Sequence, residues 1–260
     1  MNVDKIIRFE PEGPADNKLV EWEAMDPSSI ESGEPVQRGH LYYDDEALGL
    51  MAGVWDCTPF RGKMEPYPVE EFMYVLKGSV IIELEDGSST TIAAGESFIV
   101  PKGLLCRWVQ TEYVRKYFVI FSAKGGEVHH DPARYGIITP RVNDATTPIV
   151  IKDTSRIIGI VPDQHNHIYY TDVTGQFTVG MWHSTAFERP VFEFDHFDLM
   201  CILEGEATVS DGDGNNQLFK TGEACFVPMG AQYKWQCDVP VTKVYCAFTP
   251  AKVVYDATQS

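Results

Sequence analysis

Two short stretches of this 260-residue chain place acid–base or ligating side chains close together. In Asp195-His196-Phe197-Asp198, His196 and Asp198 fall on the same side of an extended backbone. There a carboxylate could orient an imidazole for proton transfer, although a solvated acidic loop has the same composition. His183 is a further imidazole in the same half of the chain. In Gln164-His165-Asn166-His167, two imidazoles stand on alternate residues. That spacing can grip a metal, but the stretch reads as an entry strand. The six cysteines, Cys57, Cys106, Cys201, Cys225, Cys237 and Cys246, form no Cys-x-x-Cys pair and lie mostly in apolar runs. They read as buried thiols of a reducing compartment, not as a disulfide framework or a zinc ribbon. No Gly-rich phosphate loop and no Gly-x-Ser-x-Gly elbow is present, which argues against nucleotide hydrolysis and α/β-hydrolase chemistry.

Charge narrows the partners. Lys plus Arg number 21 against 38 Asp plus Glu, a formal net charge of −17 that is spread over both halves. Such a surface repels phosphate backbones and anionic headgroups, so neither nucleic acid nor membrane is expected as a partner. No apolar run reaches the roughly 18–20 residues of a membrane span. The opening residues, Met1 to Glu10, carry charge and lack the pattern of a secretory signal. The expectation is a cytoplasmic protein with a small-molecule ligand.

The elements that must position any site emerge from self-comparison. Shifting the chain by 127 residues aligns positions 40–121 with 167–248 without a gap and with 22 identities over 82 positions. His40, Gly53, Trp55, Gly78, Pro101, Trp108 and Lys116 fall on His167, Gly180, Trp182, Gly205, Pro228, Trp235 and Lys243. A constant offset of this length marks an internal repeat. Within each copy, runs such as Val80-Ile81-Ile82-Glu83-Leu84 and Ser97-Phe98-Ile99-Val100 are separated by Lys77-Gly78, Asp86-Gly87 and Ala94-Gly95. Short β-rich runs at such spacing predict antiparallel strands in a sandwich or barrel. The expected organisation is an N-terminal arm over 1–39 and a first barrel over 40–124. A linker with lead-in strands follows over 125–166, then a second barrel over 167–250 and a tail over 251–260. Four prolines and dense charge make the arm an irregular or loosely packed lead-in.

The glycine–proline skeleton resembles the cupins. Gly95-x5-Pro101-x-Gly103-x2-Cys106 and Gly222-x5-Pro228-x-Gly230-x2-Tyr233 carry the spacing of their second motif. Glu71-x6-Gly78 and Asp198-x6-Gly205 fit the end of the first. Trp55-Asp56-Cys57-Thr58-Pro59 and Tyr67-Pro68-x-Glu70-Glu71-Phe72 resemble the compact subgroup related to the ethanolamine-utilization cupin and the ureidoglycine aminohydrolases. The resemblance implies an all-β bicupin, two tandem double-stranded β-helix (jelly-roll) barrels. It also implies where ligands would sit. Metal-binding cupins carry histidines at positions that here are Glu65, Tyr67 and Cys106 beside Glu71, and Phe192, Phe194 and Tyr233 beside Asp198. No metal or other cofactor is therefore expected, and a degenerate divalent-metal site in the first barrel is the alternative.

The leading expectation is a small-molecule enzyme using metal-independent acid–base chemistry in the first barrel, of isomerase, epimerase, lyase or hydrolase type. Glu71, Tyr67 and Cys106 are its candidate catalytic residues, with Glu65, Trp108 and Trp55 binding substrate. Glu65 and Glu71 together in a partly dry cavity would split their pKa values into an acid and a base. The second barrel, with Phe192 and Phe194, is expected to have filled its interior with apolar side chains. A non-catalytic metabolite-binding bicupin and a metal-dependent cupin of the ureidoglycine aminohydrolase type are the alternatives. The repeats are expected to form a pseudo-dimer alone or a true homodimer, with Lys116 and Lys243 in salt bridges at the barrel rims and residues 1–39 covering an edge.

Overall fold

A computed structural model describes residues 5–14, 18–122 and 135–251; among them the regular structure is twenty-four strands and one 3-10 turn, Pro27–Ser29. The glycines that punctuate the strands are required. Gly78 and Gly205 have φ of 77° and 78°, and an added Cβ would meet the carbonyl oxygens of Tyr113 and Pro240 at 2.1 and 2.2 Å. Only glycine accepts both the left-handed backbone and that approach.

Each repeat folds into a jelly-roll barrel of two facing antiparallel sheets. In the first, Ser97–Val100, Glu70–Lys77, Val114–Phe121, Leu50–Cys57, Gln37–Asp45 and Val20–Glu21 lie side by side in one sheet. Ser89–Ala93, Ser79–Leu84, Leu105–Gln110, Phe60–Gly62 and Ile30–Gly33 form the other. The second repeat follows the same plan, with Ala224–Val227, Phe197–Glu204, Val241–Phe248, Phe177–Ser184 and Gln164–Thr171 in its larger sheet.

Strand alternation divides the side chains between two environments. Along Val114–Phe121, Lys116 and Phe118 point into the first barrel, whereas Tyr117, Val119 and Phe121 join a core shared by the two barrels. Along Val241–Phe248, Tyr245 lies against the interior of the second barrel, and Val244, Cys246 and Phe248 enter the shared core. The barrels thus shield one another face to face, not through sheet edges. Glu70 of the first barrel accepts a hydrogen bond from the Tyr170 hydroxyl of the second, at 2.8 Å.

The N-terminal arm is more ordered than its composition predicts. Ile7–Phe9 pairs with Ala224–Val227 at the edge of the second barrel, and buried Ile6 and Phe9 join its interior and the shared core. In return, Ile138 of the linker bridges Ile99, at the matching edge of the first barrel. Burial of large apolar side chains outweighs the nearby charge and proline. The Gly125-Gly126 and Pro132 part of the linker, and the tail beyond Ala251, lie outside the described residues. No helix among the described residues is long and apolar enough to cross a membrane.

Candidate functional site

In the first barrel Glu71, Tyr67 and Cys106 do converge, but around a partner that the sequence reading left at the rim. Lys116 is buried, and its Nζ lies 2.7 Å from Glu71 Oε1 and 2.9 Å from Met73 Sδ. Trp55 and Trp108 flank the ammonium, each with its ring centroid at 4.9 Å, so cation–π attraction replaces part of the lost hydration. The Tyr67 hydroxyl donates to Glu71 Oε2, and burial together with that carboxylate holds the phenol well above its usual pKa. Burial pushes the Cys106 thiol up to about 12, so the nucleophilic thiolate is disfavoured. Glu65 does not join this group. It is exposed, on the two-residue strand Glu65–Pro66 opposite Cys106, and no carboxylate pair forms with Glu71. A strand end at the rim puts this side chain in water, where a charge is cheapest.

The second barrel contains the analogous pair in a looser form. Asp198 is buried and Lys243 nearly so, yet Nζ stands 3.6 Å from Asp198 Oδ2, and among the described residues Asp198 Oδ1 has no hydrogen-bond partner. Lys243 Nζ also lies 2.7 Å from Met200 Sδ and 5.4 Å from the ring centroids of Trp182 and Trp235. Burial raises the pKa of Asp198 and lowers that of Lys243, their mutual attraction opposing both shifts. Contrary to expectation, this barrel is not filled. It holds a cavity of about 300 Å³ bounded by Asp198, Lys243, Asn166, Tyr245, Arg189 and His196, among aromatic side chains. Phe194 is buried at its wall and Phe192 only half-buried. The His196 ring packs on Phe194 at 4.3 Å, and its Nδ1 lies 2.7 Å from Asp195, the residue beside it, not from Asp198. His183 turns away to Thr242, with Nδ1 3.1 Å from its hydroxyl.

The two barrels differ in what packs at the mouth. The amides of Trp22 and Ile149, at the same 127-residue offset, donate to the carbonyls of Gln37 and Gln164 at 3.0 and 2.7 Å. Trp22 inserts toward the first barrel, edge-on to Phe118 at 6.3 Å, and Met25 packs there with it. The indole lies so close to Gly39 that an added Cβ would come within 2.2 Å of it. In the second barrel the corresponding residues are Ile149, Asn166 and Tyr245. The Tyr245 hydroxyl donates to Asn166 Oδ1 at 3.1 Å, so a hydrogen-bonded polar pair borders open space where the first barrel has packed indole.

A divalent metal does not suit either interior. An ammonium already stands beside each carboxylate, no imidazole occupies the inward motif positions, and Glu71 spends both oxygens on Lys116 and Tyr67. Among the described residues, no group of three or more His, Cys, Asp or Glu gathers as a ligand set. His165 approaches Asp163 at 3.3 Å and His167 packs on Tyr169, so the alternating histidines belong to an ordinary strand.

The family model described as EutQ-like cupin domain matches residues 48–118 and 171–245, one segment in each barrel. The chain belongs to the EutQ-like cupin family. Among solved structures, this bicupin is similar to a Pseudomonas syringae pv. tomato protein of unknown function, with 23% identity and a TM-score of 0.77. That alignment covers 94% of this chain and 99% of the other. It is also similar to the protein Ylba of E. coli, at 12% identity and a TM-score of 0.58 over 97% and 94% of the two chains. A mutant salicylate 1,2-dioxygenase from Pseudoaminobacter salicylatoxidans aligns at 10% identity and a TM-score of 0.51, over 77% and 71%. At these identities the likeness concerns the fold. Among curated proteins, none matches this chain in sequence.

Sequence reasoning missed Asn166, Arg189 and Tyr245 as cavity residues. A signal existed in the offset itself, because these positions replace Gly39, Gly62 and Phe118 of the first repeat.

Proposed function

We propose that this bicupin is a metal-independent acid–base enzyme of small-molecule metabolism, that its working site is the cavity of the second barrel, and that the first barrel is a closed structural copy. The observation that carries the reading is the half-satisfied pair at the cavity wall. Asp198 has an oxygen with no partner among the described residues, and Lys243 stands 3.6 Å away instead of the 2.7 Å of its counterpart. Leaving a buried polar atom unpaired costs roughly 1–3 kcal/mol, a cost that a closed barrel avoids and a ligand can relieve. Burial moves the two pKa values toward one another, so proton exchange with a bound substrate is easier than between the same groups in water. Lys243 in its neutral form would accept a proton from the substrate and return it as the ammonium. Asp198 would balance the charge, and Tyr245 with Asn166 would orient the ligand. This supports isomerase, epimerase, lyase or hydrolase chemistry; a binding module would use the same cavity without turnover.

A second reading keeps the chemistry in the first barrel, with Glu71, Tyr67 and Cys106 reacting and Glu65, Trp55 and Trp108 around them. The close Tyr67–Glu71 contact favours it; the saturated Glu71 and the high Cys106 pKa weigh against it.

The test is conversion of metabolites in a cell extract, followed by NMR. Asp198→Asn and Lys243→Met should each slow it by about a hundredfold or more, while Tyr67→Phe should leave it within a few fold. The reverse pattern would move the site to the first barrel. Saturable binding without conversion would leave a binding module, and turnover that vanishes with a chelator would restore the metal-dependent alternative.

A further inference from the structure

Two cations without an ion pair among the described residues stand at and beside the cavity of the second barrel. Arg189 is half-buried at the cavity wall, and its guanidinium lies over the Phe192 ring at 4.4 Å. Arg156 approaches the same ring at 5.5 Å from the lead-in segment, where both arginines border an adjoining recess. Among the described residues neither guanidinium has a carboxylate within ion-pairing distance, in a chain with 38 acidic residues available. The acids nearby make their close contacts elsewhere, Asp195 with His196 and Asp153 with Ser155, and reach the arginines only as longer-range attraction, Asp195 to both and Asp153 to Arg156. Two like charges held against one ring, one of them half out of water, are unfavourable unless something anionic joins them. Burial lowers the pKa of Arg189 and the charge of Arg156 adds to this, against the opposing pull of Tyr233 and Asp195.

The repeat supplies an independent observation. At the 127-residue offset, Arg189 and Arg156 replace Gly62 and Ser29, and Phe192 replaces Glu65. Both cations and the ring they pack on are therefore present at the cavity of the second barrel and absent from the matching positions of the first. A stacked guanidinium keeps its N–H edge free, which suits the fork of a carboxylate. Phosphate sites more commonly recruit a run of backbone N–H groups in a glycine-rich loop, and no such loop occurs in this sequence.

We propose that the ligand of the second barrel is a small organic carboxylate, gripped at the mouth by Arg189 with Arg156 in support, its body lying between the aromatic walls next to Lys243 and Asp198. This rests on the reading of that cavity as the functional site and adds the chemical class of what enters it. A volume of about 300 Å³ limits the ligand to a small metabolite.

Titration calorimetry on the full chain decides the matter, with monocarboxylates from acetate to benzoate, the neutral amide of each, and inorganic phosphate as probes. The best carboxylate should bind at least about tenfold more tightly than its amide, and phosphate should compete poorly. Arg189→Gln should erase the preference for carboxylate while leaving amide binding unchanged and the melting temperature equal or slightly raised; Arg156→Gln should reduce it by a few fold. Equal binding of amide and carboxylate, or a preference that survives the double variant, would overturn the carboxylate assignment and leave the cavity reading intact. Phosphate binding as tight as the best carboxylate would reduce the recognition to charge alone and overturn the assignment too. If no probe binds and Asp198→Asn leaves metabolite conversion untouched, the cavity reading fails as well.

Discussion

The two barrels share a backbone plan and a lysine–carboxylate pair, and they differ in what closes the mouth. In the first, Trp22 and Met25 pack the opening, Lys116 contacts Glu71 at 2.7 Å, and Tyr67 takes the other oxygen. In the second, Ile149 leaves the opening wide, Asn166 and Tyr245 border it, and Asp198 retains an oxygen with no partner among the described residues. The comparison teaches that a buried ion pair is not in itself a sign of function. What separates a structural pair from a reactive one is how completely it is satisfied and whether a ligand can reach it.

The largest expected effect tests that distinction directly. Glu71→Gln strands the Lys116 charge in a dry interior and should cost about 3–5 kcal/mol of unfolding free energy in a denaturant titration. Asp198→Asn removes a carboxylate that is only half-partnered and should cost less than about 1 kcal/mol or stabilise the chain. Equal losses would erase the contrast between the barrels.

Next comes the mouth. Trp22→Ala should destabilise by about 2 kcal/mol, below the range for a fully buried aromatic because the indole is half exposed. The converse construction, Ile149→Trp with Asn166→Gly, should close the second cavity, abolish carboxylate binding in calorimetry and hold or raise the melting temperature. Binding that persists in the doubly changed protein would show that the mouth does not set access.

A smaller effect lies in alkaline solution. Burial lowers the pKa of Lys243 in the folded chain, so between that value and the ordinary lysine value the unfolded chain binds more protons. Its contribution to stability therefore rises with pH across that window. Urea midpoints of the wild type should gain on those of Lys243→Met as pH climbs toward about 10.4, the unperturbed lysine value. Parallel curves would mean that Lys243 titrates normally. The least perturbation is expected at Cys106: with its thiol at about 12, iodoacetamide at neutral pH should leave it unmodified in the native chain, as peptide mass spectrometry would read.

Much of this architecture was legible because repeated glycines and prolines encode backbone shape. Gly78 and Gly205 align because both must accept a left-handed turn against a carbonyl. Glu71, Tyr67 and Cys106 were also placed together, since motif spacing fixes which strand positions point inward. The Lys116 partnership was missed, although Lys116 lies two residues from Phe118 and shares its inward parity. Nothing in local composition says that a lysine is buried; the aromatic faces that hold it, Trp55 and Trp108, come from other strands. The open mouth was illegible for a different reason. Trp22 and Ile149 lie outside the span where the repeats share identities, and a cavity is set by the volume of a side chain that is not there.

The edge pairing of the N-terminal arm has a consequence for the order of events during synthesis. Ile7–Phe9 leaves the ribosome before either barrel exists, yet its pairing partner, Ala224–Val227, emerges more than two hundred residues later. The first barrel can assemble around its own sheets, but its edge at Ile99 waits for Ile138, and the shared face waits for the whole second repeat. Contacts of such sequence separation close slowly and are lost together. Refolding should therefore show a late phase in which the arm docks, one that a chain lacking residues 1–10 does not display.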